Sequence, residues 1–329
     1  MHITIDESNS NQRFDRFLRK YTKSYPTVWL SDIFRRIRKG EVRVNSKKAS
    51  EEYRLTIGDQ IEIPDELLGK QDKRVLLSVK DKKIKKLTRK EIQTFILFED
   101  DNWVIFNKPA GIVAHEGNNH RKDLSMNDYL EVYAKEYKTA TFKPSFGYRL
   151  DKDTSGVLIG AKNYEALQFL NQIIRERNIE KTYFTVVTGQ TPKHLIINKK
   201  LEKTLNTKFN RAQMKVSPHG QESITEIDTL KTIYDNIVGQ ISFLRVKLHT
   251  GRMHQIRVHL SSEGHPVLGD LIYGNPAINR KMQSWYGISR QLLHCRNYKF
   301  TDFTGKTINI IAPLPKEFTK LKYSPAPNF

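Results

Sequence analysis

The segment YRLDKDTSG, residues 148–156, leads directly into the apolar run Val157-Leu158-Ile159. A polar stretch followed by β-branched and aliphatic residues predicts a loop that enters a buried strand. The loop carries two carboxylates, Asp151 and Asp153. On spacing alone, either one could be an ordinary turn residue, because aspartate favours turns by hydrogen-bonding nearby backbone groups. Other segments of the chain are needed to distinguish a turn residue from a catalytic residue.

Further apolar runs rich in β-branched and aromatic residues lie on both sides of this segment, at residues 95–98, 103–106, 185–187 and 241–246. Between them, residues 164–175 show helical spacing of apolar side chains, and residues 127–137 show it more weakly. The pattern predicts a mixed domain of helices and strands in which strands dominate.

The N-terminal region carries a dense cluster of positive charge. Residues 13–48 contain twelve Lys and Arg against three Asp and Glu. Apolar residues recur at helical spacing over residues 14–18 and 30–37, and strands are predicted at residues 41–45 and, as a second pair, around 55–59 and 61–63. We expect two short amphipathic helices with basic outer faces in a small unit that closes near Pro64. Such a unit either contacts a polyanion or only keeps the protein soluble.

The whole chain is basic, with 56 Lys and Arg against 36 Asp and Glu and a formal net charge of +20. This charge attracts polyanions, and nucleic acid is the first to consider. The N-terminus lacks the features of a signal peptide, and no apolar run approaches the roughly 18 residues that span a bilayer. We therefore expect a soluble cytoplasmic protein with no membrane partner. The single cysteine, Cys295, excludes an internal disulfide and a multi-cysteine zinc site.

Three further segments hold side chains suited to chemistry. Lys181-Thr182-Tyr183-Phe184 places a tyrosine in a strand, where tyrosine usually belongs to the core. Thr250-Gly251-Arg252-Met253-His254-Gln255-Ile256-Arg257-Val258-His259 holds two histidines five positions apart. With neither a cysteine nor a third clustered ligand they do not predict zinc, and we expect them to hydrogen-bond within the core. The third segment is Phe106-Asn107-Lys108-Pro109-Ala110-Gly111-Ile112-Val113-Ala114-His115.

These segments resemble the RluA-type pseudouridine synthases. The matching motifs are Arg-Leu-Asp-x-x-Thr-Ser-Gly, Lys-x-Tyr, Gly-Arg-x-His-Gln-Ile-Arg-x-His and Asn-Lys-Pro-x-Gly, and the match spans roughly residues 95–316. The resemblance implies an α+β pseudouridine synthase catalytic fold with a mixed, mainly antiparallel central sheet. It makes Asp151 the catalytic aspartate and Arg257 the arginine that pairs with it. It also makes Tyr183 the active-site tyrosine and Arg149 the arginine that displaces the base.

One position departs from that family, which usually has histidine before the arginine of the first motif. This chain has Tyr148 there. A phenol can still stack on a base or donate a hydrogen bond, so we expect catalytic activity to survive the change.

The N-terminal unit resembles the S4 RNA-binding domain over residues 12–64. The resemblance rests on Arg13-Phe14-Asp15-Arg16-Phe17-Leu18, on Ile37-Arg38-Lys39-Gly40-Glu41-Val42-Arg43-Val44-Asn45 and on Gly58-Asp59. It implies a small α/β module that contacts RNA through Arg35, Arg36, Arg38, Lys39 and Arg43. The expected organisation is an S4-like domain at residues 1–64, a lysine-rich linker at 65–93 and a catalytic domain at 94–329.

Taken together, the resemblances imply the isomerisation of uridine to pseudouridine in the bacterial large-subunit (23S) ribosomal RNA. A carboxylate would act at C1′ of a flipped-out uridine. No diffusible cofactor and no metal is required, because the uracil stays bound between the two half-reactions. We expect a monomer whose partner is ribosomal RNA. A transfer RNA target, or a non-catalytic RNA-binding ribosome-assembly factor, are the alternative readings.

Overall fold

The structure is a computed structural model that describes residues 1–6, 9–22, 28, 30–68, 88–115, 124–139, 142–206 and 211–321. The strands are β1 His2–Thr4, β2 Arg43–Val44, β3 Gln60–Glu62, β4 Ile96–Glu99, β5 Trp103–Lys108, β6 Ser145–Phe146, β7 Ser155–Ala161, β8 Glu180–Thr188, β9 His194–Asn198, β10 Leu201–Asn206, β11 Arg211–Val216, β12 Ile224–Asp235, β13 Gly239–Leu248, β14 Leu293–Thr301 and β15 Thr307–Ile311. The α-helices are α1 Phe14–Tyr21, α2 Leu30–Lys39, α3 Asp65–Leu68, α4 Arg89–Gln93, α5 Met126–Tyr133, α6 Tyr164–Glu176, α7 Gln255–Ser262, α8 Pro276–Tyr286 and α9 Lys316–Thr319. Among these described helices, none combines the length and the apolar character needed to cross a bilayer.

Contacts divide the chain into two compact units. The first comprises residues 1–93, 127–145 and 161–168, and the second comprises residues 94–126, 146–160 and 169–329. Most of the lysine-rich linker predicted at residues 65–93 lies outside the described residues, apart from α3, Thr88 and α4 at its two ends.

In the first unit, α1 and α2 pack with a three-stranded sheet of order β1-β3-β2. Phe14, Phe17 and Leu18 of α1 and Ile33 and Ile37 of α2 are buried in one core with the apolar strand residues. Charged residues occupy the opposite helix faces, because only one stripe of each helix can be buried. The two predicted basic amphipathic helices are therefore confirmed.

The strand predicted at residues 55–59 is wrong, because this stretch forms a turn. Gly58 adopts a φ of +89°, which glycine reaches without steric strain. The Asp59 carboxylate accepts hydrogen bonds from the Thr56 N–H at 2.8 Å and from the Asn45 side chain at 2.7 Å. These side-chain bonds satisfy groups that a strand would pair. The partner of β3 on its other side is β1, a strand that sequence reasoning missed.

The second unit is built on a ten-stranded sheet. Its main path has the order β4-β5-β7-β14-β8-β13-β12-β9, with β15 beside β14 and β6 beside β7. The β7–β14 pair is parallel, whereas the pairs that lead from β14 through β8, β13 and β12 to β9 are antiparallel. The predicted α+β class with a mixed, mainly antiparallel sheet is confirmed.

The strands β10 and β11, which hold part of the lysine-rich stretch at residues 196–212, pair as an antiparallel hairpin. Residues 207–210, between the two strands in sequence, lie outside the described residues. Leu201 and Met214 of the hairpin pack against Val258 of α7. The hairpin is thus attached to the helix that carries Arg257.

The centre of the sheet is too tight for a side chain where β7 begins. Gly156 lies opposite Cys295 of β14, and a Cβ atom on Gly156 would fall 2.1 Å from the Cys295 carbonyl oxygen. Gly156 also has a φ of +112°, a conformation that other residues rarely adopt. This close approach fixes the exit of the loop that carries Asp151.

We expect Gly156→Ala to destabilise the protein more than Gly239→Ala. Both glycines have positive φ, but a Cβ atom on Gly239 would meet nothing within 4 Å. Backbone strain alone should cost about 1 kcal/mol at residue 239, and the clash at residue 156 should add about 1–3 kcal/mol. Chemical denaturation of the two variants measures the difference. Equal losses of stability would show that the β7–β14 contact relaxes freely.

Candidate active site

A cavity of about 850 Å³ opens on the second unit. The residues that line it include the four side chains predicted for the catalytic centre, Arg149, Asp151, Tyr183 and Arg257. Asp151, Tyr183 and Arg257 are largely buried, whereas Arg149 is exposed. The structure therefore gathers around one cavity residues that come from distant parts of the chain.

Asp151 sits in the loop that enters β7. Its backbone carbonyl accepts a hydrogen bond from the Thr154 N–H at 3.1 Å, so the loop does contain a turn. Its side chain is 18% exposed, and its Oδ2 atom accepts a hydrogen bond from Arg257 Nη1 at 3.0 Å. The carboxylate is therefore held by a cation and still borders the cavity.

Arg257 is fixed by a second carboxylate. Its Nε and Nη2 atoms donate to the two oxygens of Asp270 at 2.7 and 2.9 Å, a bidentate pair buried from solvent. Asp270 Oδ1 also accepts the backbone N–H groups of Ile272 and Tyr273. The Arg257 guanidinium lies 5.1 Å from the centre of the Tyr273 ring. A planar fork bound on two edges cannot rotate, so Nη1 is aimed at Asp151.

The contact between Arg257 and Asp270 also determines the charge states of these two residues. Burial opposes the charge of Arg257, but the hydrogen bonds and negative charges of Asp270 and Asp151 together outweigh burial and raise its pKa. Burial alone would raise the pKa of Asp270, but the hydrogen bonds and charge of Arg257, together with the backbone N–H groups of Tyr273 and Ile272, outweigh burial and lower that pKa. Both groups are therefore charged at neutral pH, and Asp151 faces a permanent cation.

The Asp151 loop is also held from beneath by Lys108, at the end of β5. Lys108 is fully buried, and its Nζ atom donates to the backbone carbonyls of Pro109, Lys152 and Thr154 at 2.8–2.9 Å. Burial lowers the pKa of Lys108 to about 7, against the raising effect of the nearby Asp153 and Asp151. All three N–H donors of the ammonium are used, so Lys108 is a clamp on the loop.

Arg290 and Gln291 add two more ties to this loop. Arg290 Nη1 donates to the Asp153 carbonyl at 3.2 Å, and Gln291 Nε2 donates to the Thr154 hydroxyl at 3.3 Å. Arg290 is in turn paired with Glu317 at 3.1 Å. Residues from three distant segments, Lys108, Arg257 and the pair Arg290-Gln291, thus contact the four loop residues 151–154.

Tyr183 lies on β8 and is 7% exposed. Burial raises the pKa of its hydroxyl well above the ordinary tyrosine value. The phenol therefore stays protonated at neutral pH. This arrangement favours a packing role for Tyr183 over a role as a base.

Tyr148, at the position that departs from the family pattern, stacks on Tyr298 with ring centres 4.9 Å apart. Its hydroxyl donates to the Val157 carbonyl and accepts from the Ile159 N–H, both at 3.1 Å. Tyr148 therefore ties the loop to β7, and its ring face and hydroxyl are already engaged within the protein.

The two histidines of the third motif have different surroundings. His259 is fully buried and hydrogen-bonds to the Thr225 hydroxyl and the Lys199 carbonyl, as expected of a core histidine. His254 instead has its Nε2 atom 3.8 Å from Asp151 Oδ2.

A separate group of possible metal ligands comprises His194, Glu226 and Asp228. Asp228 is paired there with Arg245 at 3.0 Å, so an ion-pair network accounts for this group.

Basic side chains surround the mouth of the cavity. Those that line it and are exposed are Arg149, Arg175, Arg177, Lys247 and Arg252. The cations predicted for RNA contact in the first unit lie on α2 and β2. Among them, the side chains of Arg35, Arg38 and Lys39 are 57–71% exposed, and Arg35 is paired with Asp32 at 2.7 Å. Arg36 is less exposed and paired with Glu41, and Arg43 donates to the Gly40 carbonyl.

Sequence reasoning assigned no role to Asp270 or Lys108, although both lie within or beside the motifs. The signal for Asp270 was its place after Gly264-His265-Pro266-Val267-Leu268-Gly269, inside the range 95–316 over which the chain resembles the family. The signal for Lys108 was a lysine inside an apolar strand run, where a charge must find partners.

A profile of the RNA pseudouridylate synthase family matches residues 102–262. The chain is 33% identical over 324 residues to a ribosomal large subunit pseudouridine synthase C of Vibrio vulnificus, covering 98% of this chain and 95% of the relative. It is 34% identical to the protein of the same name from Escherichia coli, covering 95% and 92%. Human RNA pseudouridylate synthase domain containing 4 is similar in fold, with a TM-score of 0.56 and 21% identity over 71% of this chain and 95% of that one.

We expect Asp270→Asn to destabilise the protein by about 3–5 kcal/mol, because it leaves the buried Arg257 cation without its bidentate partner. A matched control is Asp228→Asn, which removes the partly exposed pair with Arg245 and should cost at most about 1 kcal/mol. Urea denaturation of both variants measures the two losses. Similar losses would contradict a special role for the buried pair.

Stability should also depend on pH through Asp270. Its pKa is lower in the folded protein than in the unfolded chain, so its contribution is complete above the unfolded value of about 4 and is lost as pH falls through the folded value. Asp270→Asn should therefore flatten the fall in stability below about pH 4. Denaturation midpoints of wild type and variant across that range provide the measurement, and parallel curves would contradict the assignment.

Proposed function

The chain belongs to the RNA pseudouridylate synthase family, and we propose that it converts uridine to pseudouridine in large-subunit (23S) ribosomal RNA. The observation that carries the proposal is a single carboxylate, Asp151, which borders a cavity and is held by the fixed guanidinium of Arg257. The names of the full-length relatives support ribosomal RNA as the substrate.

The proposed reaction breaks the bond between uracil N1 and ribose C1′ and forms a bond between C5 and C1′. C5 loses a proton and N1 gains one, so the reaction is an isomerisation. C1′ becomes electron-poor when the first bond breaks, and the Asp151 carboxylate stabilises or captures it. Arg257 supplies the counter-charge of that carboxylate and fixes its orientation. Because the detached uracil stays in the cavity, the reaction needs no diffusible cofactor.

Tyr183 and Arg149 have separate tasks in this proposal. Tyr183 packs against the uracil, in keeping with a buried phenol that stays protonated. A uridine inside folded RNA must swing out at a cost of a few kcal/mol, and the exposed Arg149 fills the space that it leaves. The other cations at the mouth then contact the flanking phosphates.

The first 64 residues form an S4-like RNA-binding domain in this proposal, followed by a linker at 65–93 and the catalytic domain at 94–329. Arg35, Arg36, Arg38, Lys39 and Arg43 are its RNA contacts. The basic outer faces of α1 and α2 support this role. We also infer that the protein acts as a cytoplasmic monomer.

The relatives' names favour ribosomal RNA over transfer RNA as the target. The joint presence of Asp151, Tyr183 and Arg257 around one cavity argues against a non-catalytic RNA-binding or assembly factor.

We expect Asp151→Ala to abolish pseudouridine formation while leaving RNA affinity within several-fold, because one carboxylate adds little to binding a polyanion. Asp153→Ala, two residues away in the same loop, is the matched control and should remain active. Pseudouridine mapping on large-subunit ribosomal RNA incubated with each variant reads out the reaction. Normal turnover by Asp151→Ala would reject the proposal.

Replacing Arg35, Arg38 and Lys39 together by Gln should weaken RNA binding and reduce its salt dependence. Each lost phosphate contact reduces the magnitude of the slope of log affinity against log salt by about 0.7–0.9, so three contacts should reduce it by about 2.1–2.7. The control replaces the exposed Lys281, Lys299 and Lys316 of the second unit. Binding titrations at several salt concentrations measure both slopes. Equal changes in the two triple variants would mean that the N-terminal cations make no specific contacts with RNA.

A further inference from the structure

His254 is held in an unusual place beside the reacting carboxylate. Its Nε2 atom lies 3.8 Å from Asp151 Oδ2, the same oxygen that accepts from Arg257 at 3.0 Å. Both side chains of the pair are mostly buried, with 13% of His254 and 18% of Asp151 exposed. A donor at this distance reaches hydrogen-bonding range after a small shift, as is common when a substrate closes a site.

The backbone of His254 is strained to bring the ring there. It adopts a φ of +53° and a ψ of +16°, the left-handed conformation, immediately before α7. The side chain of Gln255 holds this turn with four hydrogen bonds, two accepted at Oε1 from the Thr250 hydroxyl and the Arg252 N–H. The other two run from its Nε2 atom to the Ile224 carbonyl and the Thr225 hydroxyl. Strain of this kind persists only where its surroundings enforce it.

The contacts of Nδ1, the other ring nitrogen of His254, identify which of the two nitrogens carries the proton. His254 Nδ1 lies 2.8 Å from the Tyr273 hydroxyl, and that hydroxyl accepts the Met214 N–H at 2.9 Å. The single phenol proton is then available to Nδ1, which must act as the acceptor. The opposite tautomer would leave the phenol proton without an acceptor among the described residues. Burial lowers the pKa of His254, so the ring is neutral and carries its one proton on Nε2.

We propose that His254 is a positioning residue for Asp151, that it directs an Nε2–H at Asp151 Oδ2, and that the Tyr273 hydroxyl sets this tautomer. The proposal rests on the proposed function, since it assigns a partner to the same carboxylate. Arg257 and His254 together occupy Oδ2, and Oδ1 is the oxygen that meets C1′. Tyr273 links the parts, because its ring lies beneath Arg257 and its hydroxyl bonds to His254.

Two substitutions at His254 separate this role from a merely structural one. The amide nitrogen of Gln can replace Nε2, whereas the shorter Asn reaches only the position of Nδ1. Asn, however, tolerates the left-handed backbone better than Gln does. A merely structural role therefore predicts that His254→Asn is both more stable and more active than His254→Gln. The proposal predicts that His254→Asn is more stable but His254→Gln is more active.

The test measures single-turnover rate constants, RNA affinity and thermal stability of the full-length variants. We expect His254→Gln to stay within about 10-fold of the wild-type rate constant and His254→Asn to lose about 100-fold, the loss typical of a misplaced catalytic group. RNA affinity should be unchanged in both. Activity that follows stability, with Asn equal to or above Gln, would overturn the proposal.

Tyr273→Phe tests the second half of the proposal, because it keeps the ring beneath Arg257 and removes only the hydroxyl. It should lower the rate constant in the wild-type background and add no further loss to His254→Asn, since both changes break one chain of hydrogen bonds. Additive losses would show that Tyr273 acts independently of His254.

Nitrogen-15 NMR of histidine-labelled wild type reads the tautomer without any turnover, with the His254 signals assigned by their absence in His254→Asn. A protonated Nε2 and a bare Nδ1 are expected, and the reverse would overturn the proposal whatever the activities of the variants. The wild-type reaction keeps the two hypotheses apart. A wild type that forms no more pseudouridine than Asp151→Ala refutes the proposed function, whereas an active wild type with the wrong order of Gln and Asn refutes only the role of His254.

Discussion

The buried pair of Arg257 and Asp270 is the interaction on which the rest of the site depends. Two charges are removed from water there, and each is tolerable only because the other is present. The pair leaves one edge of the guanidinium unused, and that edge meets Asp151. Without Asp270 the arginine could turn towards solvent, and the carboxylate at the cavity would lose both its counter-charge and its orientation.

The sheet supplies the rigidity that this arrangement needs. The Asp151 loop is clamped by the ammonium of Lys108 on one side and by Arg290 on the other, and it leaves through a glycine pressed against β14. These contacts all act on backbone groups of the loop. They therefore fix where the carboxylate sits without touching the side chain that must stay available for a substrate.

Much of this architecture could be predicted from the sequence, but not the partners of its buried charges. Amphipathic spacing located α1, α2 and α6, and short motifs named Asp151 and Arg257. Asp270 and Lys108 were visible as residues but not as partners. The apolar run around Lys108 indicates a buried charge, but it does not identify the carbonyl 44 residues away to which the ammonium donates. The turn at Gly58 was missed because its sequence resembles that of a strand. The hydrogen bond from the Thr56 N–H to the Asp59 side chain, which stabilises the turn, is not evident from that sequence.

The cavity is electrically graded from its opening to its interior. Exposed arginines and lysines surround the mouth, while the carboxylate of Asp151 lies among the mostly buried groups that line the cavity. A phosphodiester group is drawn to the outside and repelled from the inside, whereas an uncharged nucleobase and its sugar can pass. The gradient thus acts as an orientation filter, which admits a strand with its backbone outermost and refuses the inverted pose before any base-specific contact forms.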